Sequence, residues 1–170
     1  MLNDWRSNRM FHKAEFMLSS RMSVLTLSFL AALFLLSPSL YAKTCEFSLQ
    51  GSDQMKYDKK EWVIPKECSD VKLVLKHVGR MSKAMMGHNV VISKTSDVAG
   101  INTDAMNPKK AKDYVPQNDQ RVLAHTKRIG GGESDTITFK KRVLKAGYDY
   151  SFFCSFPGHV GMMIGKIVVP

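Results

Sequence analysis

No apolar stretch in this sequence is long enough to cross a bilayer. The longest apolar-leaning run, Val24 to Leu36, holds 13 residues, where a spanning helix takes about 20. No internal repeat and no low-complexity tract is present, which argues against solenoid or linker architectures. No nucleic-acid-binding motif is visible. Tryptophan occurs only twice and cysteine only three times. No residue class is extreme: 44% hydrophobic and 24% charged residues are ordinary for a globular protein. The 170 residues suit about one domain.

The N-terminal 42 residues read differently from the rest. Arg21 precedes the apolar run, a break at Ser37-Pro38-Ser39 follows, and Tyr41-Ala42 ends the segment. A positive start, a short apolar core and a terminal small residue describe a secretory signal peptide cut after Ala42. Leu40 departs from the small-x-small rule for such sites. Residues 1–16 are polar and mixed, an odd preface to a signal, and are read as an extension not made in the cell. Met17 or Met22 is the more natural start. The exported chain is then residues 43–170, expected in the periplasm without a membrane span. It holds 21 Lys and Arg against 13 Asp and Glu. A basic surface of this kind steers acidic partners; the plainer reading is solubility.

All three cysteines, Cys45, Cys68 and Cys154, lie in the exported part. An odd count there points to one disulfide and one thiol with another task. Cys45 and Cys68 are the natural pair in an oxidising compartment.

Short strand-like runs alternate with turn signals. Glu46–Gln50 alternates around Phe47 and Leu49. Val71, Leu73, Leu75 and His77 share one face of a second run. Val90–Ile92, Arg121–Ala124 and Thr136–Phe139 are further candidates. Tyr148–Cys154 aligns Tyr148, Tyr150, Phe152 and Cys154 on one side, and Ile164–Val169 closes the chain. Gly51-Ser52-Asp53, Gly130-Gly131-Gly132 and Ala146-Gly147 are turn material. Many short strands with turns every ten or so residues predict an all-β sandwich or barrel. Ser96–Met106 is spaced for one short helix, with Asn107–Lys110 as loop after it.

The chemistry concentrates near the C-terminus. Cys154, His159 and Met163 sit on one predicted turn between two strands, with Pro157 and Gly158 making it tight. A thiolate and a thioether favour copper, and imidazole suits both its oxidation states. A fourth donor is best offered by Gly87-His88-Asn89, just before a strand. Gly87 lets the backbone come close, so its carbonyl can face the metal. Two histidines, one cysteine and a distant methionine make a trigonal blue-copper (type 1) set.

These residues resemble the azurin branch of the blue-copper, or cupredoxin, family. The likeness rests on Gly87-His88-Asn89 and on the Cys-x4-His-x3-Met loop 154–163. It extends to Gln50–Met55, Asp113-Tyr114, Arg121–Lys127, Phe152–His159 and the pair Cys45 and Cys68. The resemblance implies a Greek-key β-sandwich of about eight strands, with copper near one end. It implies His88, Cys154 and His159 as close ligands, and Met163 and the Gly87 carbonyl as weak axial ones. Asn89 would tie the two ligand loops together and reach toward the cysteine sulfur, with backbone N–H groups near Phe156 assisting. Such a site makes the protein a one-electron carrier, not an enzyme, serving redox proteins such as c-type cytochromes or a periplasmic reductase. A monomer is expected. His159 would show its outer edge to solvent as the electron port, ringed by Met81, Met85, Met86, Met106 and Met162. Of these, Met86 and Met162 are the firmer docking candidates against the alternative of core filler. The resemblance sets His77 partly buried beside the site, where its protonation would tune the potential; the plainer reading is a satisfied core histidine.

The sequence departs from the family in two places. Val90 stands where the best-known members carry a buried tryptophan. Trp62, the one tryptophan of residues 43–170, is expected to be more exposed. Met162 takes a place usually held by leucine. Three rivals fit less well. A copper chaperone or storage protein has little need of His88. A two-copper reductase needs a second domain and more histidines than His77 and His125. Zinc gives an axial methionine little purpose. Cys154 as a catalytic nucleophile lacks an orienting Asp or Asn partner.

Overall fold

The computed structural model describes residues 42–170. The expected signal peptide and the extension 1–16 lie outside the described residues.

Two long strands open the domain, β1 (Lys43–Ser52) and β4 (Cys68–His77), and run parallel side by side from Lys43 opposite Cys68 to Gly51 opposite His77. Between them in the chain come β2 (Lys56–Tyr57) and β3 (Glu61–Val63). β5 (Val91–Lys94), β6 (Ala111–Lys112), β7 (Val115–Pro116), β8 (Ala124–His125), β9 (Ser134–Lys140), β10 (Tyr150–Phe153) and β11 (Ile164–Val168) follow. One sheet has the order β2-β1-β4-β9, a second β3-β11-β10-β5-β8, and β6 and β7 form a small hairpin. This is the all-β sandwich that the strand pattern predicts. Among the described residues eleven strand segments stand where about eight were expected, because four of them are two-residue pairings too short to leave a periodic signal.

The core between the sheets follows the alternation in the sequence. Val71, Leu73, Leu75 and His77 of β4 are all buried. They meet Leu49 from β1 and Ile92, Tyr150, Phe152 and Ile167 from the facing sheet. β10 breaks the simple alternation, since all four of its residues are buried. Phe153 points to the opposite face, into a second cluster with Val91, Val98, Ile101 and Val115. That face is covered by the helix Val98–Ala105, entered through a 3₁₀ turn at Thr95–Asp97 and ending near the position expected. The sheet carrying β5 and β10 is therefore dry on both sides, and it is the sheet that delivers the thiol at Cys154.

Two expectations differ from the structure. Arg121–Ala124 is mostly not a strand; only Ala124–His125 pairs, with β5. Arg121 instead serves a turn in which Asp119 accepts from the Arg121 N–H at 3.0 Å, while the guanidinium holds Asp104 and Asp119 together. Trp62 is not exposed. It is 4% accessible and stacks on Phe152 at 4.0 Å between centroids with a 12° interplanar angle, with Phe47 5.9 Å away. β3 pairs parallel with β11, so Trp62 faces inward opposite Ile167. Three residues of strand gave too little pattern to reveal that.

Cys45 and Cys68 are joined, linking β1 to the start of β4 across 23 residues of sequence. Closing a loop of this length is worth about 3 kcal/mol in the chain-entropy model. Serine at both positions lowers the unfolding free energy by about that much in a denaturant titration, with the midpoint falling and the slope rising as the unfolded chain expands. Trp62 Nε1 has no hydrogen-bond partner, so its emission in the folded state lies to the blue of the unfolded chain. Equal emission maxima before and after unfolding contradict the burial.

Candidate metal centre

The site is assembled from two chain segments that meet at one end of the sandwich. The first is Gly87-His88-Asn89. A single helical turn, Lys83–Met86, brings the chain up to it. His88 is then locked by an isolated antiparallel bridge to Ile129, with N–H···O distances of 2.9 and 2.8 Å. The second segment runs from Cys154, at the end of β10, to Met163. The Cys154 N–H donates to the Met163 carbonyl at 2.9 Å, closing the loop at its base. Inside it the His159 N–H donates to the Phe156 carbonyl, and the His159 carbonyl accepts from Met162 and Met163. Gly158 sits at φ +79°, the left-handed turn that lets His159 fold back over Cys154.

Asn89 joins the segments. Its amide donates to Ser155 Oγ at 2.9 Å, and the Ser155 N–H donates to its carbonyl oxygen at 2.9 Å. The Asn89 and Phe156 backbone N–H groups favour the thiolate form of Cys154.

Three donors converge there. His88, Cys154 and His159 each offer one ligand atom within 4.8 Å of the others, and all three residues are buried. Cys154 Sγ is 3.6 Å from His159 Nδ1 and 3.9 Å from the Gly87 carbonyl oxygen. His88 Nε2 is committed to the Ser52 carbonyl at 2.9 Å. That makes Nε2 the protonated nitrogen and leaves Nδ1 with a lone pair. Nδ1 is buried with no hydrogen-bond partner, and a buried acceptor left unmatched is costly. A soft metal ion between Nδ1 and the thiolate resolves it, so the donor set fits copper.

The electrostatics agree. Burial pushes the Cys154 thiol up to about 11, against partial relief from the N–H groups of Asn89 and Phe156. Burial pulls His88 down to about 4 and lowers His159 as well, with His77 adding to the latter. Both imidazoles are therefore neutral near pH 7, the form that binds a metal, while the thiol still holds its proton.

The remaining expected residues fall as follows. Met163 is fully buried below the loop, while its neighbour Met162 is 50% exposed, so the two adjacent methionines face opposite ways. Met86 is half-buried; Met81, Met85 and Met106 are exposed. His159 shows only 2% of its surface, so any edge it offers to solvent is a sliver. His77 is buried, stacks on the His88 ring at 4.3 Å and 14°, accepts from the Gly79 N–H and bonds the Met86 carbonyl. Its ring nitrogens are thus both used in the neutral form. His125, exposed on β8, takes no part.

The sequence reading missed several contributors. Ser52 acts through its carbonyl and leaves no side-chain signal. Tyr57 is buried and its hydroxyl donates to the Asn89 carbonyl. Tyr114 and Arg128 lie against the ligand loop, and Asp113 holds Arg128. Asp113-Tyr114 carries part of the resemblance, but its role here is set by these contacts, and nothing local distinguishes Arg128 from a surface residue.

The model of the plastocyanin/azurin family of copper-binding proteins matches residues 43–170. The chain is 50% identical to an azurin of Alcaligenes faecalis over 123 residues, covering 72% of this chain and 96% of that one. It is 50% identical to an azurin of Achromobacter denitrificans, covering 74% and 85%. It is 48% identical to an azurin of Pseudomonas chlororaphis, covering 74% and 98%.

Metal uptake by the copper-free protein at pH 7 should release about one proton per ion, because only the thiol must ionise. Calorimetric titration in buffers of different ionisation enthalpy measures this. Two or three protons released would mean that the histidines start out charged.

Proposed function

The chain belongs to the copper-binding plastocyanin/azurin family and is a copper electron carrier rather than an enzyme; from that premise we propose how it holds and uses the ion. His88 Nδ1, Cys154 Sγ and His159 Nδ1 are the close ligands. Met163 and the Gly87 carbonyl would be weaker partners of the ion. The observation that carries this reading is an orphaned imidazole nitrogen, His88 Nδ1, buried beside a free thiol and a second neutral histidine.

Copper supplies a one-electron couple, Cu(II)/Cu(I). The protein keeps the donor positions alike in both states. His88 is held by Ser52 and by stacking on His77, Cys154 by its N–H bond to Met163, and His159 by the loop turn. Donors fixed by such outer contacts need little rearrangement when an electron arrives. His77, satisfied on both nitrogens, serves first as the plate behind His88. Protonating it costs the Gly79 N–H bond, so any effect of His77 on the potential is coupled to that loop.

Exposed Met162 and half-buried Met86 form the soft docking patch, supported by exposed Met81, Met85 and Met106. Thioethers adapt to more than one partner surface, and small redox interfaces exchange quickly. The partners are redox proteins such as c-type cytochromes or a periplasmic reductase. A periplasmic location is supported by the N-terminal signal pattern and the Cys45–Cys68 bridge. Among the described residues no helix is long and apolar enough to cross a membrane.

Addition of Cu(II) should give an intense visible absorption band that vanishes on reduction and is absent in Cys154→Ser. A colourless protein overturns the reading. Met163→Leu shifts the reduction potential, whereas Met162→Leu leaves spectrum and potential in place and slows electron exchange with a partner. A larger spectral change from Met162→Leu would reverse the axial assignment.

A further inference from the structure

Arg128 carries a full charge, yet its side chain is only 18% exposed, and it touches both ligand segments without being a donor to the metal. Its aliphatic stem lies across Gly87. A Cβ built on Gly87 would come within 2.7 Å of Arg128 Cδ, so glycine is what lets the stem pass. Its guanidinium sits 5.5 Å from the Phe156 ring and 5.1 Å from the Tyr114 ring. The Phe156 ring in turn lies 4.7 Å from that of His159. One guanidinium nitrogen donates to the Lys83 carbonyl at 3.3 Å. Nε is 2.6 Å from Asp113 Oδ1, an ion pair rather than an aligned hydrogen bond.

The carboxylate on which this arginine rests is itself held in place at a cost. Asp113 and Tyr114 form the two-residue turn between β6 and β7, with φ of +55° and +62°. Left-handed backbone is unfavourable for residues with a Cβ and persists where surrounding contacts determine it. Here Asp113 is held by Arg128 and by Lys83 at 3.4 Å. Tyr114 is held by the guanidinium, by the edge of Phe156 at 5.2 Å, and by the Ser155 hydroxyl donating to its carbonyl. A strained hairpin, an arginine and the ligand loop thus form one clamp.

We propose that Arg128 is a positioning residue for the copper centre: pinned by Asp113, it clamps Phe156 and Gly87 from outside and holds a fixed positive charge against the two ligand segments. The proposal rests on the ligand assignment above. Reduction adds an electron to the site, so a neighbouring positive charge favours it and a neighbouring negative charge opposes it. Removing Arg128 lowers the equilibrium constant for reduction, and neutralising Asp113 raises it. A partly screened unit charge at such range amounts to roughly three- to tenfold, about 30–60 mV for one electron.

The test uses the copper-loaded full chain and the variants Arg128→Met, Arg128→Lys and Asp113→Asn. Midpoint potentials are taken at low and high salt, and amide exchange of the 155–163 loop is followed in the copper-free protein. Methionine keeps the stem and removes the charge, so the potential falls by the stated amount. Asp113→Asn moves it the other way. Lysine restores most of the potential but not the planar contact with Phe156, so loop exchange stays faster than in the parent. An unmoved potential in Arg128→Met, or shifts of the same sign in Arg128→Met and Asp113→Asn, overturns the proposal while the Cys154-dependent band persists. Loss of that dependence in the parent overturns the ligand assignment instead. If Arg128→Met does not fold, the sign of the Asp113→Asn shift decides the matter alone.

Discussion

Asn89 and Ser155 exchange two hydrogen bonds of 2.9 Å in the dry interior, and the rest of the site hangs on that exchange. One of the two residues follows His88, the other follows Cys154. The pair therefore fixes the separation of an imidazole and a thiol that lie 66 residues apart in sequence. Breaking one partner of a buried hydrogen bond costs about 1–3 kcal/mol through the group left unmatched. That penalty keeps both loops in register whether or not an ion lies between them.

Around this link the buried polar groups satisfy one another. The Val90 N–H reaches Thr126 Oγ1 at 2.9 Å, Thr95 and Ser151 share a hydroxyl contact at 2.9 Å, and Tyr57 caps the Asn89 carbonyl. His77 fills its two nitrogens and lends its face to His88. Against this background one unmatched atom at the meeting point of two histidines and a thiol is informative. Of the buried atoms without a partner among the described residues, His88 Nδ1 is the one that lies beside a thiol and a second histidine, open for a ligand.

A second layer lies outside this link. Arg128 and the Asp113-Tyr114 turn close over Phe156 from outside, and Trp62 fills the core below through its stack on Phe152. Val90, where relatives of the resembled family place a large aromatic, is fully buried and packs in the same cluster as Trp62. Trp62 brings its aromatic volume into that core from β3. The expectation of an exposed tryptophan failed because it was drawn from the missing residue at one position, while burial is decided by the sum of all neighbours.

The sequence by itself determined the donor types and their local spacing. Cys154, His159 and Met163 share one short loop, so their closeness in the chain is a property of ten residues and a tight turn. The alternation of β4 and the spacing of Ser96–Met106 were legible for the same reason, since period and turn chemistry are local. Tertiary structure alone decided that Met163 is buried while Met162 is exposed, that His159 is nearly closed to solvent, that Trp62 is stacked inside, and that Arg128 reaches the ligand loop. Each of these depends on contacts between strands or loops far apart in the chain. A carbonyl such as that of Ser52 or a lone arginine carries no mark of such a partner until the sheets close around it.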